Sequence, residues 1–95
     1  MLEVRGLRVL GLLVMYLYFT APWCQPCKTL GPIMDDIAAT GVEVIKVDVE
    51  QDPALVQTYG VMSIPTVIAV RAGQEVSRFT GGRDRAFVER FIQST

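Results

Sequence analysis

Two cysteines stand two residues apart between a run of strand-forming residues and a helical pattern, and no other feature constrains this chain as much. They lie in Trp23-Cys24-Gln25-Pro26-Cys27-Lys28 and are the only cysteines among 95 residues. Thiols at that spacing can close a bridge across one turn, with the first sulfur placed where a helix begins. A dithiol so placed can be oxidised and reduced repeatedly, so the segment points to redox chemistry. A purely structural bridge is the poorer reading, because closing so short a loop restricts the unfolded chain little. Tetrahedral zinc takes four ligands, usually Cys or His. With 2 Cys and no His, only a dimer could complete the shell, so no metal is expected.

The length suits one domain, residues 1–95, able to enclose a small core. A formal charge of −1 and a pI near 5.2 leave no electrostatic footprint for nucleic acid. The absence of histidine removes the usual general base and the usual neutral-pH switch. The absence of asparagine removes any N-glycosylation acceptor. Arg5 and Arg8 precede an apolar run from Val9 to Phe19. A charged start and an apolar stretch resemble a secretion signal. The run is shorter than the roughly 20 residues that cross a bilayer, so no membrane partner is expected. A buried central strand also reads as a continuous apolar run. The strand is preferred, because cleavage would remove the element that carries Cys24. A cytoplasmic location follows, where an isolated cysteine pair is more often catalytic than structural.

The pass along the chain gives a short first strand at Leu2-Glu3-Val4, a turn or single helical turn over Gly6 to Leu10, and a buried strand over Leu12 to Thr20. Leu30, Ile33, Met34, Ile37 and Ala38 then fall at helical spacing and predict an amphipathic helix, kinked by Pro32 and stopped by Gly41. Val42 to Val49 predicts a strand rich in β-branched residues. Asp52-Pro53 opens a short helix ending near Tyr59-Gly60. Thr66 to Val70 and Glu75 to Phe79 predict a hairpin around Arg71-Ala72-Gly73-Gln74, contributing antiparallel edge strands. After Gly81-Gly82, Asp84 caps a last helix with the inner stripe Phe87, Val88, Phe91 and Ile92. The expected fold class is α/β, a mixed sheet of four to five strands with parallel right-handed crossovers and helices on both faces.

From about Tyr16 onward the chain resembles thioredoxin. Four signals carry the resemblance in order: Trp23-Cys24 with Pro26-Cys27-Lys28, Pro32 in the following helix, Tyr59-Gly60-Val61 with Ile64-Pro65-Thr66, and Ala72-Gly73 followed by Gly81. The resemblance implies the thioredoxin fold with its N-terminal strand and helix shortened, and a cis peptide before Pro65. Two positions depart from the family pattern. Gln25 stands where a glycine is usual, and Tyr18 stands six residues before Cys24 where the family carries a buried aspartate.

Cys24 is expected to be the nucleophile, since unpaired N–H groups and the helix dipole favour its thiolate. Cys27, inside the first turn, is expected to be more shielded and to act as the resolving thiol. Pro26 fixes a backbone angle between them. Gln25 is the variable residue of the loop. By resemblance, Ile64 and Pro65 leave backbone groups beside Cys24 for an extended substrate segment, Trp23 forms an apolar rim, and Gly81 completes the surround. A tyrosine at 18 is a poor base at neutral pH. Lys46 matches the lysine that pairs with the family's aspartate. Lys46 and Asp48 share a strand face, which leaves two readings: Asp48 pairs with Lys46 and takes over some proton handling, or both are ordinary strand residues near a solvated edge.

The resemblance implies reduction of protein disulfides by a monomer, with no bound cofactor and with electrons from NADPH through a thioredoxin reductase. A glutaredoxin-like reading rests on Gly81-Gly82-Arg83-Asp84 as a glutathione site, against a plain turn and helix cap. A non-catalytic partner subunit of the same fold is the third reading. Export would open an oxidase or isomerase role.

Overall fold

The computed structural model describes residues 13–95. The expected strand at Leu2-Glu3-Val4, the turn over Gly6 to Leu10 and the first part of the apolar run fall outside the described residues, as does the shortened N-terminal element. The rest of that run forms strand β1, Val14–Thr20, buried from Tyr16 onward. Helix α1, Gln25–Ala39, continues through Pro32 and buries Cys27, Leu30, Ile33, Met34 and Ile37. Ala38, expected on that inner stripe, is exposed, while its neighbour Ile37 is buried. Thr40 caps α1, and Gly41 follows with a φ of 101°, a left-handed turn that a side chain resists.

Strand β2 is Glu43–Asp48. Helix α2, Pro53–Thr58, starts at Asp52, whose carboxylate accepts the Leu55 N–H at 3.2 Å. Strands β3, Thr66–Arg71, and β4, Gln74–Thr80, follow. Their two-residue link has positive φ at both Ala72 (53°) and Gly73 (77°), matching the handedness of a tight hairpin. Helix α3, Arg85–Ser94, is capped by Asp84, whose carboxylate accepts the Phe87 N–H at 2.9 Å.

Among the described residues the sheet order is β2-β1-β3-β4, with β1 parallel to β2 and antiparallel to β3. Only β4 of the hairpin is an edge. Strand β3 lies inside the sheet instead of at its rim, and its residues Thr66 to Val70 are buried. That run is apolar on both faces because both are covered. Val67 and Ala69 join Tyr16, Tyr18 and Phe79 under α1 and α3. Ile68 and Val70 join Leu17, Phe19 and Val47 on the face covered by Leu55 and Val56 of α2. Helices therefore lie on both faces, and β1, central and buried, delivers its C-terminal end to the cysteine pair.

Candidate active site

The site begins where β1 runs out. The Cys24 N–H donates to the Ala21 carbonyl at 3.2 Å, which turns the chain out of the sheet. Cys24 has extended backbone (φ −84°, ψ 112°) and is the N-cap of α1. Ordinary N-caps use an oxygen for this purpose. Here the Cys24 Sγ accepts the Cys27 N–H at 3.3 Å. A disulfide joins Cys24 to Cys27, with their Cα atoms 5.3 Å apart. The unequal shielding expected of the two cysteines is not found, since both are 4% exposed. Bonded to each other, they share one apolar nest with Ala21, against which Val49 and Ile64 pack.

Gln25 and Pro26 are exposed on the first turn between the cysteines. The Ile64–Pro65 peptide is cis. The Gly81 N–H donates to the Pro65 carbonyl at 2.8 Å, so the loop before α3 holds the loop before β3. Among the described residues, neither backbone group of Ile64 has a backbone partner. A Cβ added to Gly82 would stand 3.6 Å from the Pro26 Cβ, and this close approach brings the third loop against the first. Trp23 is 63% exposed, and its indole N–H donates to Glu50 Oε2 at 2.7 Å. With Val49, Val56, Val61, Met62, Ser63 and Ile64 it lines a shallow groove of about 260 Å³.

Behind Cys27 lies a second cavity, of about 410 Å³, lined by Tyr18, Lys28, Asp35, Lys46 and Asp48 among others. The register pairs Tyr18 with Lys46 and Thr20 with Asp48, which sets these side chains in one row. The expected ion pair between Lys46 and Asp48 does not form. Asp48 Oδ1 accepts the Glu50 N–H at 2.9 Å, because the chain turns back over the carboxylate as β2 ends. The Tyr18 hydroxyl is buried and donates to the Cys27 carbonyl at 3.2 Å. Burial pushes its ionisation above the usual phenol value, so it is no base at neutral pH. In Gly81-Gly82-Arg83-Asp84, the Asp84 carboxylate is engaged as the α3 cap and Arg83 lies over the Phe87 ring at 4.7 Å. These contacts match the turn-and-cap reading. Among the described residues no group of three Cys, Asp or Glu side chains is placed to hold a metal ion.

Sequence reasoning missed Glu50, Val49 and the Gly82–Pro26 contact. Glu50 had a usable signal, since parallel pairing of β1 with β2 brings the residues just beyond each strand together. The Gly82 contact joins segments 56 residues apart and left no local trace.

A bridged cysteine pair at the N-terminus of a helix, facing a cis-proline loop at the end of a central strand, defines a thioredoxin-fold redox site. The comparisons agree with that class. The thioredoxin family model matches residues 12–94. The thioredoxin of Mycobacterium tuberculosis is 41% identical over 71 residues, covering 72% of this chain and 61% of the relative. That of Chlamydia caviae is 41% identical over 76 residues, covering 78% of this chain and 74% of the relative. The chain thus spans less than two thirds of the mycobacterial relative's length. The crystal structure of Fasciola hepatica thioredoxin superposes with a TM-score of 0.81 at 28% identity, over 98% of this chain and 91% of that one. A mutant thioredoxin from Halobacterium salinarum gives 0.79 at 34% identity, over 85% and 73%. This chain belongs to the thioredoxin family.

Proposed function

We propose that this protein is a thiol–disulfide oxidoreductase that reduces disulfides of other proteins through Cys24 and Cys27. The observation that carries the reading is the sulfur N-cap. The Cys24 Sγ at that position accepts the Cys27 N–H and lies at the positive end of α1, an arrangement that favours the thiolate over the thiol once the bridge is reduced. The thiolate attacks one sulfur of the substrate disulfide, forming the mixed disulfide and expelling the other sulfur as a thiolate. Cys27 then attacks Cys24 Sγ, the mixed disulfide breaks, and its electron pair leaves on the second substrate sulfur. Two electrons have passed to the substrate, and the chain is left with the Cys24–Cys27 bridge. Electrons return from NADPH through a thioredoxin reductase.

The groove beside the nest suits an apolar side chain of the substrate, with Trp23 as its rim. The free backbone groups of Ile64 suit an extended segment laid beside the loop that Pro65 and Gly81 hold. Gln25 and Pro26 shape the exposed lip between the cysteines. Proton handling falls to the cavity behind Cys27, where Asp48 acts through water beside Lys46. We place the protein in a reducing compartment, the cytoplasm, acting as a monomer. No helix among the described residues is long and apolar enough to cross a membrane.

A paired assay tests the reading. Insulin and a glutathione mixed disulfide are offered with NADPH and thioredoxin reductase in one arm, and with NADPH, glutathione and glutathione reductase in the other. Turnover of insulin in the first arm alone is expected. Turnover in the glutathione arm alone would transfer the assignment to Gly81-Gly82-Arg83-Asp84.

A further inference from the structure

Tyr18 is a buried polar side chain at the site that the disulfide chemistry does not use. It is 2% exposed, sits on the central strand and reaches up to the Cys27 carbonyl. Among the described residues this is the only side-chain hydrogen bond from the sheet to the first turn of α1. The cavity that the phenol borders is also lined by Thr20 from β1, Lys46 and Asp48 from β2, and Lys28 and Asp35 from α1, with Val67 opposite Tyr18 on β3. Gly31, one turn beyond Cys27, leaves it room, since a Cβ there would stand 3.6 Å from its oxygen.

The bond matters most at the stage when the covalent tie is gone. In the mixed disulfide, Cys24 is bonded to substrate and Cys27 is free. Its sulfur must then approach Cys24 Sγ in line with the bond being broken, and holding reactants in such a geometry lowers the barrier. An N-terminal helical turn has few internal hydrogen bonds to hold it. We propose that Tyr18 is a positioning residue for the resolving step, fixing the Cys27 carbonyl so that the Cys27 sulfur is set for attack on Cys24. Tyr18 does not take the thiol proton, which passes to water in the cavity. The inference rests on the dithiol reading above.

Reduced protein mixed with dithiobis(nitrobenzoate) tests both together. Attack by Cys24 releases one coloured thiolate, and resolution by Cys27 releases the second. In Tyr18→Phe the first release is expected to stay within about twofold, and the second to slow by about fivefold, the effect of one hydrogen bond. The midpoint of the second release against pH is expected to stay where it is in the wild type. An unchanged second release, equal slowing of both steps, or a shifted midpoint would each overturn the proposal. Absence of the first release in the wild type would instead defeat the dithiol reading. The helix carbonyl keeps its partner four residues on, so the Phe variant is expected to fold. If it does not, Gly31→Val, which crowds the hydroxyl from the helix side, carries the same test.

Discussion

Cys24 and Cys27 share one nest but differ in backbone position. Cys24 is the cap and Cys27 belongs to the turn it caps. Cys27→Ser is expected to stop the cycle at the mixed disulfide, seen as a stable adduct by mass spectrometry. Asp48 lines the cavity behind that sulfur without pairing to Lys46. Asp48→Ala is expected to move the pH–rate profile of insulin reduction downward by a few tenths of a unit, because removing a like charge beside the Cys27 sulfur favours its thiolate. An unchanged profile would remove Asp48 from proton handling and leave it as the residue that turns the chain after β2.

At the scale of elements, caps and straps hold the loops that surround the nest. Asp84→Ala is expected to cost about 1 kcal/mol, read by denaturant midpoint, while insulin reduction stays unchanged. A fall in activity with glutathione but not insulin would mark Asp84 as a ligand group. Arg78 reaches from β4 to the Tyr59 carbonyl at 2.7 Å, tying the end of α2 to the sheet just before the Ile64–Pro65 loop. It also pairs with Glu75, and that hydrogen bond holds the Glu75 carboxyl below its usual value. A carboxylate depressed by folding adds stability above its unfolded value and loses it as pH falls through the folded one. About a third of each side chain is exposed (31% and 33%), so solvent screens the pair and the contribution is small. Thermal scans of the wild type in mild acid should show this loss, and Arg78→Ala should not.

For the whole molecule, the decisive packing is where the far edge of the sheet meets the last helix. Phe79 on β4 meets Phe87 and Phe91 of α3 edge-on, at centroid distances of 5.3 and 4.9 Å. Phe79→Ala is expected to cost about 3–5 kcal/mol by the usual scale for a buried aromatic. That is a large part of the roughly 5–15 kcal/mol that holds a domain together. A denaturation midpoint lowered by less than about 1 kcal/mol would show that β4 and α3 do not depend on this cluster.

The local elements were legible in the sequence because each depends on its neighbours in the chain. Asp52 and Asp84 accept N–H groups three residues on, Ala72-Gly73 takes the left-handed turn, and apolar spacing in α1 marks its inner face. The redox pair was legible for the same reason, since Cys24 and Cys27 lie within one turn. The burial of β3 inside the sheet, the equal shielding of the cysteines, the Trp23–Glu50 bond and the missing Lys46–Asp48 pair were not. The burial of β3 and the Trp23–Glu50 bond depend on which distant strand or loop lies alongside, while Asp48 is drawn to the Glu50 N–H where the chain turns after β2. Sequence by itself therefore determined which residues can do the chemistry. Tertiary structure decided what surrounds them, because burial and hydrogen bonding at the site are set by strands and loops that meet only when the sheet closes.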